Sequence, residues 1–167
     1  MAFKEINIKD LKENFVKLIA DEWTLICAGN KEKYNMMTAS WGGFGEMWNK
    51  DVATVVIRPQ RYTKEFIDNE DYFTLTFFGD NKDIHKICGS KSGREVDKTK
   101  ETGLTPLFAE KGVYFEQARV VVICKKVYCQ KLEPECFVDK SFVDKYYPDE
   151  DYHYVYVGEI EKVLIKE

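Results

Sequence analysis

The chain is poor in the residue types that mark several common chemistries. It has two histidines, His85 and His153, and five cysteines, at 27, 88, 124, 129 and 136, with no CxxC pair among them. That argues against a structural zinc site, whose ligands come as closely spaced Cys and His pairs. The start, Met1-Ala2-Phe3-Lys4-Glu5, lacks a basic segment followed by an apolar one, so no export signal is expected. An odd cysteine count without such a signal predicts a reduced, cytoplasmic protein. The longest apolar run, Val120 to Cys124, is far too short to span a bilayer. A net charge of −4 excludes a nucleic-acid binder that works through a basic surface. There is no Walker loop, no glycine-rich dinucleotide fingerprint, no Ser/His/Asp set and no paired-carboxylate signature.

What remains is a globular chain of 167 residues, 44% hydrophobic and 14% aromatic, without repeats, low-complexity tracts or linkers. It predicts one domain, 1–167. Ile8, Leu11, Phe15, Leu18 and Ile19 recur at helical spacing after Asn7, a residue suited to an N-cap, which predicts a helix over 8–20. Trp23–Ala28 and Tyr34–Trp41 read as strands joined by a polar turn, with Gly42, Gly43 and Gly45 breaking regular structure after them. Val52–Arg58 is a β-branched run stopped by Pro59, followed by a short helix over 60–69. Strands are expected over 72–78, 113–115, 118–132 and 154–165, with short helices over 80–88, 95–102 and 137–146. Cys27 and Cys124 fall in strand-like runs and read as small buried hydrophobes. Strands without βαβ alternation favour an antiparallel barrel with appended helices.

Two segments carry the functional signal. In Asn35-Met36-Met37-Thr38-Ala39-Ser40-Trp41-Gly42-Gly43, strand alternation puts Thr38 and Ser40 on one face and Met37, Ala39 and Trp41 on the other. The plain structural alternative is a barrel strand with its hydroxyls outward. In Arg58-Pro59-Gln60-Arg61-Tyr62-Thr63, two guanidiniums flank the point where a strand gives way to a helix, whose first amides and dipole add to an anion site. The alternative is two solvated arginines paired with surface carboxylates. Gly89-Ser90-Lys91-Ser92-Gly93-Arg94 offers hydroxyls, amides and charge to a phosphate, or is a surface turn. His153 sits before the last strand and is a candidate for orienting a substrate or moving a proton, or a capping residue. Small residues that let backbone approach a ring, with donors converging on a phosphate, suit a flat, phosphate-bearing ligand such as flavin mononucleotide (FMN). With so little acid–base chemistry of its own, the chain would depend on a cofactor for reactivity.

These motifs, with Tyr72–Phe78, Cys88–Arg94 and Asp151-Tyr152-His153 in the same order, resemble the flavin reductase-like family, in particular its flavoredoxin-type branch. The resemblance implies a six-stranded antiparallel Greek-key split barrel, mainly β with short helices, usually a homodimer with FMN near the subunit interface. It implies cofactor contacts from Met37, Thr38, Ala39, Ser40, Trp41, Arg58, Arg61, Tyr62, Thr63, Phe78, Ser90, Lys91, Ser92 and Gly93. The implied function is electron transfer from a nicotinamide (NAD(P)H) or a protein donor through FMN to an acceptor. A flavin-binding carrier or storage protein is the alternative.

Overall fold

The computed structural model describes residues 2–167. In chain order the strands are β1 (Phe3–Ile6), β2 (Thr24–Gly29), β3 (Tyr34–Ala39), β4 (Gly42–Met47), β5 (Lys50–Ile57), β6 (Tyr72–Phe77), β7 (Pro106–Ala109), β8 (Gly112–Phe115), β9 (Val120–Lys131) and β10 (Tyr154–Lys166). The helices are α1 (Phe15–Lys17), α2 (Tyr62–Asn69), α3 (Lys82–Ser90), α4 (Lys98–Thr102) and α5 (Ser141–Tyr146).

The main sheet is antiparallel and runs β3-β2-β6-β9-β10-β5-β4. Strand β10 is long enough to pair β5 over Tyr154–Glu159 and β1 over Val163–Lys166 along the same side. Breaks in its register with β9, at Val157/Gly158 and Ile160/Lys162, let the sheet curl, as bulges do. The antiparallel, mainly β architecture with short helices is the expected one. The main sheet holds eight strands rather than six, because β1 and β4 join it.

Strand β4 corrects the reading of Gly42–Gly45 as a break. Gly42 takes φ +139°, and a Cβ there would lie 2.2 Å from the Thr54 carbonyl oxygen, so the strand can meet β5 only through a glycine. Trp48 and Asn49, both at positive φ, close the two-residue β4–β5 hairpin with Met47 opposite Lys50. The expected helix over 8–20 is also corrected. It splits into a 3-10 turn at Ile8–Asp10, the short α1 and a π turn at Leu18–Glu22. Two asparagines compete for the amides: Asn7 caps the first turn through Lys9 N, and Asn14 restarts the chain by accepting from Val16 N and Lys17 N. The apolar spacing survives the break, since Leu18 and Ile19 still plug the barrel interior.

That interior is filled by Ile26, Met37, Val55, Phe73, Leu75, Phe77, Val122 and Tyr156, among others. A second apolar layer lies outside it, where Leu25, Cys27 and Met36 meet Ile84, Cys88, Leu104, Val113 and Phe115. Strand β2 is therefore buried at all six positions, which explains why its sequence shows no alternation. Cys27 and Cys124 are fully buried, as expected of small hydrophobes. The ends of the strand path, β3 and β4–β5, do not pair with each other, and a cleft opens between β3 and the end of β5.

Candidate functional site

Two cavities meet at Arg61. The first, about 220 Å³, is lined by Met37–Trp41 from the end of β3, by Val56 and Arg58 from β5, and by Arg61 and His153. The second, about 120 Å³, is lined by Asn35, Gln60–Thr63, Gly89–Gly93 and Lys98. The structure thus brings together every sequence-predicted site residue except Phe78, which packs against His85 and Phe115 on the outer layer and lines neither cavity.

The first cavity is aromatic and mostly neutral. Trp41 stands edge-on to Tyr146 at 5.4 Å and tilted against His153 at 5.2 Å. Met37 and Ala39 present the barrel core to it, while Thr38 turns under α3 and donates to the His85 carbonyl at 2.9 Å. His153 is buried, with Nδ1 2.8 Å from the Tyr147 hydroxyl. Burial and then the nearby Arg58 charge push its pKa down to about 4, so it is neutral at physiological pH. Arg58 is bound to the segment that carries His153. Its guanidinium pairs with Asp151 at 2.6 Å, donates to the Tyr146 carbonyl at 2.9 Å and lies over the Tyr147 ring. Gln60 adds a bond to the other Asp151 oxygen at 2.8 Å.

The second cavity is cationic. Arg61 donates to the carbonyls of Gly89 at 3.0 Å and Cys88 at 3.2 Å. Lys98 donates to Cys88 at 2.9 Å and Met36 at 2.8 Å. Both cations sit at the negative end of the α3 dipole, which places them there. Among the described residues neither is paired with a carboxylate. Lys98 is only 4% exposed, and burial drives its pKa down to about 8. Burial likewise lowers that of Arg61. A guanidinium has five N–H donors and an ammonium three, so both have donors left over. Arg61 also caps α2 without a side-chain bond, leaving first-turn amides beside the cavity.

The rim is held by packing so tight that it demands glycine. A Cβ at Gly93 would sit 2.0 Å from Asn35 Oδ1 and 3.2 Å from the Tyr62 ring. Asn35 is fixed in turn by donating to Thr63 Oγ1 at 2.8 Å. Of the loop residues, Lys91 pairs with Glu101 and Arg94 with Glu65, while Ser90 donates to the Lys86 carbonyl at 2.6 Å. Sequence reasoning missed Lys98, Gln60 and Tyr147 as site residues. It placed Asn35 at the head of the first motif without assigning it a role.

A curled antiparallel barrel thus carries a cleft with one neutral aromatic end and one cationic end. The family profile described as "flavin reductase like domain" matches residues 16–167, and the chain belongs to that family. No curated protein matches it. Among solved structures it is similar to an FMN-binding domain of a flavin reductases-like enzyme from Shewanella baltica, with 16% identity, 98% of this chain and 77% of that one covered, and a TM-score of 0.69. It is similar to flavoredoxin from Methanosarcina acetivorans at 22% identity, covering 98% and 76%, with a TM-score of 0.67. A third similar structure is an FMN-binding protein from Thermus thermophilus, at 21% identity, 98% and 82% coverage and a TM-score of 0.66. Among the described residues no helix is long and apolar enough to cross a membrane, and no cluster of metal-ligating side chains occurs.

Proposed function

We propose that the chain binds FMN, with the ring along β3 in the first cavity and the phosphate in the second, and acts as an oxidoreductase between a nicotinamide or protein donor and an acceptor. The observation that carries this reading is the pairing of two cations, the half-buried Arg61 and the buried Lys98, which face a small cavity with donors to spare and no carboxylate. A buried charge without a counter-ion is costly, and a phosphate ester would relieve two at once. The cavities share Arg61, so one ligand can occupy both.

When bound, the flavin supplies hydride and single-electron transfer. The chain's part is to hold it: Arg61, Lys98 and the first amides of α2 take the phosphate, and Met37–Trp41 run along the ring. Trp41 and His153 border the place where a second molecule could approach. The similar structures named for FMN and for flavoredoxin favour the same cofactor, and the flavoredoxin likeness supports a second reading, an electron carrier reduced by another protein. We also infer a homodimer. Strand β4 is a free edge, and beside it Met47, Trp48, Val127 and Tyr128 are exposed, with the Trp48 and Tyr128 rings 6.3 Å apart. Light scattering should give twice the chain mass; a monomer that still holds FMN would contradict the dimer.

An anaerobic visible spectrum tests the function. A flavin spectrum that shifts on binding and bleaches with NADH or NADPH is the outcome expected of a reductase. A bound flavin that ignores both nicotinamides would favour the carrier. No bindable flavin would overturn the proposal.

A further inference from the structure

The segment between β9 and β10 is tied down with more bonds than a surface loop needs. Arg58 and Gln60 together hold both oxygens of Asp151, Arg58 reaches the Tyr146 carbonyl, and Leu132 N donates to the His153 carbonyl at 2.9 Å. Tyr147 and Tyr152 stack beneath at 4.9 Å, with Phe137 edge-on to the first and tilted against the second. All of this fixes one contact, Tyr147 hydroxyl to His153 Nδ1 at 2.8 Å.

The protons of that contact can be assigned. The Tyr147 side chain is buried, and its hydroxyl has no other partner among the described residues. If Nδ1 carried the hydrogen, the phenol proton would be left buried without an acceptor. If the phenol donates to Nδ1, both atoms of this contact are satisfied and the hydrogen of the neutral ring resides on Nε2. His85 provides the contrast. Its Nε2 is the one side-chain nitrogen or oxygen of the described residues that is both sealed from solvent and unpartnered. His153 Nε2 has no partner either, so it is not sealed, and its residue lines the first cavity.

We propose that Tyr147 is a positioning residue whose phenol fixes neutral His153 as the Nε2–H tautomer, so that this hydrogen meets the carbonyl oxygen of a planar second substrate beside Trp41. The proposal rests on reading the first cavity as the flavin ring site. The chemistry of the surroundings selects the substrate class. The indole of Trp41 and the side chains of Ala39 and Val56 suit a flat apolar body. Of the two charges that line this cavity, Arg58 is already matched by Asp151 and Arg61 stands where the cavity meets the second one, so the subsite favours a neutral acceptor oxygen over an anion.

Two measurements decide it. Long-range proton–nitrogen correlation spectra of histidine-labelled protein at neutral pH report the tautomer directly, and His153→Gln assigns the two signals. The wild type should show Nε2–H at His153, and Tyr147→Phe, which keeps the ring stack, should show a mixture of tautomers. An Nδ1–H pattern in the wild type, or no change in Tyr147→Phe, would overturn the role of Tyr147. If Tyr147→Phe fails to fold, the wild-type tautomer still decides. In the second measurement benzamide is titrated onto FMN-loaded protein. Binding should weaken about tenfold in His153→Ala, the loss of one hydrogen bond, and be largely rescued in His153→Gln, which keeps an N–H donor. Equal affinity in His153→Ala, or displacement of benzamide by FMN, would overturn the second-substrate subsite. A protein that takes up no flavin would refute the proposed function while leaving the tautomer spectra readable.

Discussion

Arg58 and Arg61 stand three residues apart at the end of one strand, yet they end in opposite electrostatic situations. Arg58 meets a carboxylate, a carbonyl and an aromatic face, all from the segment that carries His153. Arg61 meets only the carbonyls that end α3, beside the similarly placed Lys98. The difference teaches which charge is available. A guanidinium whose partner is an in-house carboxylate holds structure together, whereas one matched only by helix-end carbonyls keeps affinity for an anion. The two ends of the cleft therefore differ: one positions neutral aromatic groups, and the other keeps the cations to which the proposed function assigns a phosphate.

The largest effect that would sharpen this contrast is on ligand choice. Each charge-assisted bond to phosphate contributes about 1.5–3 kcal/mol, or roughly ten- to a hundredfold in affinity. Arg61→Ala and Lys98→Met should each weaken FMN by that much and riboflavin, which lacks the phosphate, by less than about threefold on the same scale. Arg58→Ala should weaken both flavins alike. Fluorescence titration checks all three, and a phosphate-selective loss in Arg58→Ala would break the comparison.

A pH effect comes next. With its pKa near 8, Lys98 loses its proton in mild alkali, so FMN affinity should fall above about pH 8 while riboflavin affinity stays level. Lys98→Met should flatten that profile. Stability of the ligand-free protein should move the other way. The unfolded chain keeps this proton to higher pH than the folded one, so stability rises as pH climbs from about 8 toward the ordinary lysine range. Denaturant titrations across that window would show it, and the rise should vanish in Lys98→Met.

Much of this contrast lay open in the sequence, and the part that did not has physical reasons. The strand-ending motifs announced themselves through small residues, hydroxyls and arginines at fixed places. Lys98 did not, because Lys91-Ser92-Gly93-Arg94-Glu95-Val96-Asp97-Lys98 reads as a solvated turn. Its burial depends on the Met36 carbonyl 62 residues earlier in the chain. Strand β4 was hidden by its three glycines, of which Gly42 lets it approach β5, since glycine ordinarily weakens strands. The helix expected over 8–20 had the right apolar spacing but the wrong continuity, because Asn14 offered a second cap. Arg58 was visible as a site residue, but its partner Asp151 lies 93 residues away and no local pattern announces the pair.

Smaller effects concern the supports. Gly93→Ala must push Asn35 off Thr63 and should cost about 1–3 kcal/mol of stability, as overpacking does, with FMN weakened more than riboflavin. Thermal unfolding with and without FMN would measure both. Gln60→Ala removes one bond to a solvent-accessible carboxylate and should cost no more than about 1 kcal/mol. Its effect on flavin choice should be absent.

The most direct test of the two-ended cleft is a parallel titration of the wild-type protein with FMN and with riboflavin at pH 7, repeated in the presence of inorganic phosphate. The account predicts that FMN binds at least about tenfold more tightly, as two charge-assisted phosphate contacts require, and that phosphate competes with FMN but not with riboflavin. Equal affinities for the two flavins, unmoved by phosphate, would contradict it.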